Sequence, residues 1–239
     1  RLLKSRPYFA SQMVMAGDAD GFVGGVSRNY DDVLRPTLEV IGADEKAHCV
    51  VGCYMMNVKG RTIFLADATV NVYPDSRTLA EIAVQTAKVA RRFGVAPKVA
   101  MLSFSNFGSS RAQRSERIED AIEFARELDP SLVIDGPMQA DTALNGAVQS
   151  EYPFMDFKGP ANVLVLPNLA AANIAYKLLE ELGDAEMTGP ILEGMDKPVQ
   201  LVARQDGVRH IVNMAAICAA DAIRQDSYWE TLVTPSSES

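Results

Sequence analysis

Short apolar runs alternate with helical stretches through the second half of the chain, and that alternation most limits what the chain can fold into. Gln113–Leu128 has helical spacing, Leu132–Asp135 reads as a strand, and Ala161–Leu166 as another. Leu169–Leu182 reads as a helix ending at Gly183, Pro198–Val202 as a strand, and Gly207–Ile223 as the last helix. Strands separated by helices at this spacing pair mostly in parallel, with helices covering both faces of the sheet. The predicted fold class is α/β, in three α/β/α layers with mostly parallel sheets.

The first half is less regular. Phe9, Met13 and Ala16 recur at helical spacing, and Pro7 suits a first turn. Gly21–Val26 reads as a short buried strand. Asp31 or Asp32 is expected to cap a helix carrying Val33, Leu34, Leu38 and Ile41, with Gly42 at its end. His48–Asn57 and Arg61–Asp67 are β-rich runs around Val58-Lys59-Gly60, which predicts an antiparallel hairpin. Thr78–Phe93 reads as a long helix with Leu79, Ile82, Ala83, Thr86, Val89 and Ala90 inward, followed by a strand at Lys98–Ser103.

Two stretches look like joints: Gly42-Ala-Asp-Glu, and the Gly- and Pro-rich run from Gly183 to Pro198. If the chain crosses between lobes there, residues 45–188 form an inner lobe. Residues 1–44 and 189–239 then return to form an outer lobe, with a cleft between the two.

Composition sets limits on partners. The 239 residues are 48% hydrophobic and 23% charged, ordinary for a globular chain long enough to bury a core. With 23 basic and 31 acidic residues the net charge is −8, which argues against nucleic acid and anionic membrane surfaces. No run of ~18 apolar residues is present, and the first residues lack a signal-peptide core. Cys49, Cys53 and Cys218 are the only cysteines. So sparse and odd a set fits a reducing cytoplasm and packed core thiols rather than disulfides or zinc. The chain opens without Met and reads as a piece of a longer polypeptide.

Open parallel sheets bind ligands beyond the carboxyl ends of their strands, and four polar segments fall at such ends. Leu102-Ser-Phe-Ser-Asn-Phe-Gly-Ser-Ser-Arg brings Asn106, Ser109, Ser110 and Arg111 to a helix start, either as a phosphate cradle or as an ordinary capping loop. Asp135-Gly-Pro-Met-Gln-Ala-Asp-Thr supplies Gln139, Asp141 and Thr142, with Asp141 a base or a turn anchor. Val163-Leu-Val-Leu-Pro-Asn ends at Asn168, which can cap the next helix. The last segment, from Gly189 to Arg204, offers Gly194, Lys197 and Arg204, and a guanidinium at a strand end is an anion clamp or half of a surface salt bridge. Asp18-Ala-Asp-Gly lacks the closing Glu of a calcium loop. Gly21–Gly25 lacks the spacing of a dinucleotide fingerprint. His48 and His210 are lone histidines without a metal-ligand motif.

Taken in order, Gly17-Asp-Ala-Asp-Gly, Leu34-Arg-Pro-Thr-Leu, Leu102-Ser-Phe-Ser, Asp135-Gly-Pro-Met-Gln, Ala161-Asn-Val-Leu-Val-Leu-Pro-Asn-Leu and Gly189-Pro-Ile-Leu-Glu-Gly-Met-Asp-Lys-Pro resemble the phosphate acetyltransferase family, from about Pro7 to Ile223. Met101–Arg111 and Met138–Asn145 look like the C-terminal region of long bacterial NADP-dependent malic enzymes. The resemblance implies a two-lobed fold similar to isocitrate and isopropylmalate dehydrogenases, and a homodimer or higher oligomer. It also implies acetyl-CoA or CoA in the interlobe cleft and, for the subgroup, a malic-enzyme catalytic region in the same chain. NADP and a divalent metal would belong to that region, whose motifs this chain lacks. The outer lobe is expected to miss its first strands.

In active members of the family the last strand leads into Asp-Leu-Ser-Arg-Gly with an Asp six residues after the Arg. The Ser and Arg hold phosphate, and the Asp takes the thiol proton of CoA. Here the stretch is Leu201-Val-Ala-Arg-Gln-Asp-Gly-Val-Arg-His. Arg204 is kept, the Ser position is Ala203, and the position six after Arg204 is His210. Asp206 falls on a different face of the turn and is not expected to stand in. The resemblance gives Arg35, Asn106, Ser109, Ser110, Arg111 and Thr142, with Asn168, Gly194, Lys197 and Arg204, as ligand-binding residues, and leaves no catalytic base. The expected function is an acetyl-CoA-binding regulatory module without transfer activity. An active phosphate acetyl- or acyltransferase using His210 is the enzyme alternative, and a purely structural dimerisation domain is the third reading.

Overall fold

The helices form where apolar residues recur every three or four positions, and α3 (Ser76–Arg92) shows the mechanism best. Asp75 caps it by accepting a hydrogen bond from the Thr78 N–H at 2.8 Å. Leu79, Ile82, Ala83, Thr86, Val89 and Ala90 are all fully buried along one side. The chain then turns at Phe93-Gly94. The computed structural model describes residues 2–108 and 113–233.

The described chain forms two compact units, Ala47–Gly194 and the pair Arg1–Lys46 with Met195–Ser239. The larger unit holds β2 (Val51–Val58), β3 (Arg61–Ala66), α3, β4 (Val99–Leu102), α4 (Gln113–Leu128), β5 (Ile134–Met138), α5 (Ala140–Leu144), α6 (Gly146–Gln149), β6 (Val163–Val165), α7 (Leu169–Gly183) and β7 (Glu186–Glu193). Its six strands are ordered β5-β4-β6-β3-β2-β7. Neighbours from β5 to β3 pair in parallel, whereas β2 is antiparallel to both β3 and β7. The fold is thus mixed α/β with parallel pairing dominant. Met56, Leu65, Met138, Ala161 and Leu164 build the core on one side of the sheet, with Ala172 and Tyr176 of α7 packed into it.

The smaller unit holds α1 (Arg6–Met15), β1 (Phe22–Gly25), α2 (Tyr30–Val40), β8 (Val199–Val202) and α8 (Val208–Val233). Strands β1 and β8 pair in parallel, with Phe22 opposite Val199 and Gly25 opposite Val202. Gly25 sits at φ +136°, and a Cβ there would lie 1.8 Å from the Val202 carbonyl oxygen. Only glycine lets the two backbones meet at that point. No helix among the described residues is long and apolar enough to cross a membrane.

Some elements differ from their sequence expectation. The run from Gly183 to Pro198, read as a joint, contains β7 along the edge of the large sheet. Its Gly189-Pro190 hides a strand, because an edge position spares Pro190 a ladder hydrogen bond. All of β7 belongs with β2, so a cut at residue 189 divides a paired strand. The N-cap of α2 is Asn29, not Asp31 or Asp32, which occupy the first turn where negative charge favours a helix. Helix α8 extends to Val233, beyond the expected Ile223.

Candidate functional site

The carboxyl ends of β3, β4, β5 and β6 open on one edge of the large sheet, and side chains tie their loops together. After β3, the buried Asp67 accepts five hydrogen bonds. The N–H groups of Gly52, Thr69 and Val70 reach Oδ1 at 3.0–3.2 Å, and the Asn71 N–H and Nδ2 reach Oδ2 at 2.7 and 2.6 Å. Burial nonetheless raises its carboxyl pKa, outweighing those donors. Arg117 of α4 donates to the carbonyls of Pro74 and Pro167 at 2.7 and 2.8 Å, joining the loops after β3 and β6. Sequence reasoning missed both residues. Each is a lone polar residue whose partners are backbone groups, which leave no motif.

Between β4 and β5, Asn106 is committed to structure. Its Nδ2 donates to Gln139 Oε1 at 3.0 Å and to the Tyr152 hydroxyl at 3.2 Å, while Oδ1 accepts from the Gln139 N–H at 2.8 Å. Phe107 packs on Tyr152 and Phe154, with ring centroids 5.1 and 4.9 Å away. Ser109, Ser110 and Arg111 lie outside the described residues. Thr142, expected among the ligand-binding residues, has no exposed surface in the structure. Neither its hydroxyl nor the Ser105 Oγ has a hydrogen-bond partner among the described residues. Asn168 caps α7, accepting from the Ala171 N–H at 2.9 Å. Gly194 has φ +85°, and a Cβ there would sit 2.6 Å from the Cys49 carbonyl oxygen, so close packing accounts for the glycine. Burial pushes the Cys49 thiol up to about 12, which leaves it protonated and poorly nucleophilic at neutral pH.

The smaller unit holds the other candidates. Arg35 is exposed on α2 and pairs with Glu39 at 2.8 Å. Glu39 also accepts from the Tyr8 hydroxyl, and these two donors lower its carboxyl pKa. Lys197 is half-buried in the turn before β8. At the end of β8, the Ala203 N–H donates to Asp206 Oδ2 at 2.6 Å and the Asp206 N–H returns to the Ala203 carbonyl at 3.3 Å. The same Asp206 oxygen lies 3.4 Å from His210 Nε2, and both side chains are 17% exposed. Nε2 has no hydrogen-bond partner among the described residues, so the contact is an ion pair only when His210 is protonated. Asp206 is thus beside His210, contrary to its expected place on another face. The i, i+4 spacing was the available signal. Arg204, between Ala203 and Asp206, is exposed, and its guanidinium has no hydrogen-bond or ion-pair partner among the described residues. Further along α8, Cys218, Ala219, Ala222 and Ile223 line an apolar groove of about 500 Å³ with Gly21 and Asp20.

Similarity to known proteins decides the family. A profile of the family described as Phosphate acetyl/butaryl transferase matches residues 1–219. The chain belongs to this family. A phosphate acetyltransferase of Bacillus subtilis is 38% identical over 224 residues, covering 93% of this chain and 69% of that protein. An NADP-dependent malic enzyme of Rhizobium meliloti is 42% identical over 217 residues, covering 91% of this chain but 28% of the malic enzyme. Among solved structures, a phosphotransacetylase from Streptococcus pyogenes superposes with a TM-score of 0.87 at 37% identity, covering 91% of this chain and 67% of that one. The chain therefore has relatives of two kinds, phosphate acetyltransferases of which it spans about two thirds and malic enzymes of which it spans less than a third.

Proposed function

We propose that the chain is the acetyl-CoA-binding regulatory and oligomerising module of an NADP-dependent malic enzyme, with the transfer chemistry of its family lost. The observation that carries this reading is the turn from Ala203 to His210. Arg204 is free to hold an anionic ligand. Ala203 offers a methyl group where the family pattern has a hydroxyl, and the pattern's carboxylate base is replaced by His210 beside Asp206. Removing a general base typically slows a reaction ~10²–10⁴-fold, and losing a ligand donor adds to that. Ligand binding without turnover is the property a sensor needs.

The 42% identity to a malic enzyme supports the physiological setting. In that setting the catalytic region lies earlier in the same polypeptide and supplies the NADP and divalent-metal sites. Acetyl-CoA bound here would shift malic activity by favouring one subunit arrangement, and malate-pathway ligands would shift acetyl-CoA affinity by the same coupling. The wider likeness to isocitrate and isopropylmalate dehydrogenases belongs to this reading too.

Calorimetric titration with acetyl-CoA, run alongside an assay for acetyl phosphate, tests it. Binding without acetyl phosphate formation is the expected result. Absence of binding at millimolar acetyl-CoA overturns the sensor. One observation favours the active alternative: Asp206 lies 3.4 Å from His210 Nε2, near enough to stabilise the imidazolium that proton uptake would form. Acetyl phosphate formation that disappears in His210→Ala would establish that reading instead.

A further inference from the structure

We propose that the exposed apolar stripe of α7 is the docking surface for a second copy of this chain, the two α7 helices packing antiparallel about a two-fold axis. The proposal deepens the oligomerising part of the reading above by naming its contact. Ala172, Tyr176 and Leu179 turn one side of α7 to the core of the larger unit. Ile174, Leu178 and Leu182 recur every four residues on the other side and are 60%, 54% and 81% exposed. In α7 only Asn173, Lys177, Glu180 and Glu181 carry an amide or a charge, and they fall in one sector of the helix. A helix apolar on its remaining sides is one that folded proteins bury, and three large side chains left in water forgo that gain.

The order of residues along the stripe identifies the occupant. Side chains four apart form a ridge, and such ridges interdigitate when two helices cross. Reversing α7 about Leu179 sets the ridge side chains of one copy between those of the other, two residues apart throughout. The same reversal brings Lys177 of each copy opposite Glu181 of the other, giving two ion pairs related by the axis. Lys177 and Glu181 have no ion-pair partner among the described residues, and the Lys177 ammonium leans over the Tyr176 ring at 5.0 Å. A parallel pairing would instead set the charged sector against Ala171 and Ala175 of the other helix. The stripe is thus self-complementary in one orientation, the property an isologous contact needs. Strand addition at the β7 edge is the less suited route, because Pro190 offers no N–H there.

Analytical ultracentrifugation of this 239-residue chain across a concentration series tests the proposal. The wild type is expected to form dimers. Leu178→Glu, beside the axis, is expected to weaken dimerisation about a hundred-fold, the worth of two leucines withdrawn from an apolar contact. Lys177→Glu and Glu181→Lys alone set like charges opposite each other, and each should weaken it about ten-fold. An equimolar mixture of those two variants should recover dimers, because each then faces its opposite charge. A Lys177–Glu181 interaction within one helix cannot produce that recovery. Dimers that persist in Leu178→Glu, or charge variants that do not complement each other, overturn the proposal but leave an oligomer formed through another surface. A wild type that stays monomeric at every concentration overturns it together with the oligomerising reading, and is the result expected if a different protein covers the stripe. Should Leu178→Glu fail to fold, Leu182→Ser, at the most exposed of the three positions, takes its place, and unchanged dimerisation there counts equally against the proposal. Acetyl-CoA binding is judged apart from these results, by the titration above.

Discussion

At the scale of single residues, two carboxylates illustrate opposite uses of the same group. Asp67 is enclosed and organises a loop, and burial favours its neutral form. Asp75 is exposed, and the Thr78 N–H that it caps lowers its carboxyl pKa. A lowered folded-state pKa contributes stability above the unfolded value, and that contribution is lost as pH falls through the folded one. Asp75→Ala should therefore cost about 1 kcal/mol at neutral pH, typical of a lost N-cap. The cost should shrink below pH ~4, as Asp75 becomes protonated in the wild-type chain. Denaturant unfolding of both proteins across that range checks it, and a pH-independent difference would refute the cap's electrostatic share. Residue types were legible in the sequence, but their commitments were not. Asn106 looked like a ligand donor, yet Gln139 and Tyr152 use its amide, and only folding brings those residues together. Asp206 looked detached from His210 because the turn that folds it back is held by a main-chain N–H.

At the scale of elements, helical spacing located α3, and two β-rich runs around Val58-Lys59-Gly60 located the β2–β3 hairpin. It failed at β7, where Gly189-Pro190 interrupts the strand signal and the edge position makes that interruption tolerable. It also gave no view of pairing: nothing in Phe22–Gly25 announces that its partner is Val199–Val202. That pairing depends on Gly25. Gly25→Ala should destabilise the smaller unit by about 2–3 kcal/mol, through backbone strain at positive φ and the clash with the Val202 carbonyl. Hydrogen exchange provides the check. Amides of β1 and β8 should lose protection while those of β4 and β6 keep theirs, and uniform loss across both units would show that the effect is not local.

At the scale of the whole molecule, the chain leaves the smaller unit after Lys46, builds the larger one, and returns at Met195. The sequence suggested such an excursion from its Gly- and Pro-rich stretches, because small and polar residues favour chain reversals. It could not show that the second stretch contains a full strand of the larger sheet. Family membership came from the order of short phrases along the chain, a signal that survives where single residues have changed. What Ala203 and His210 do depends on individual atoms, on which the order of phrases is silent.

The parallel pairing of β1 with β8 also imposes an order on biosynthesis. Phe22 leaves the ribosome long before its partner Val199 exists. At ~5–20 residues per second, the nascent β1 strand waits roughly 9–35 seconds while the entire inserted unit emerges and can fold. A released fragment ending at Gly194 should therefore resist protease across residues 47–194 and be cut within residues 1–46. Resistance across both regions at that stage would show that the early segment finds another partner before its own is translated.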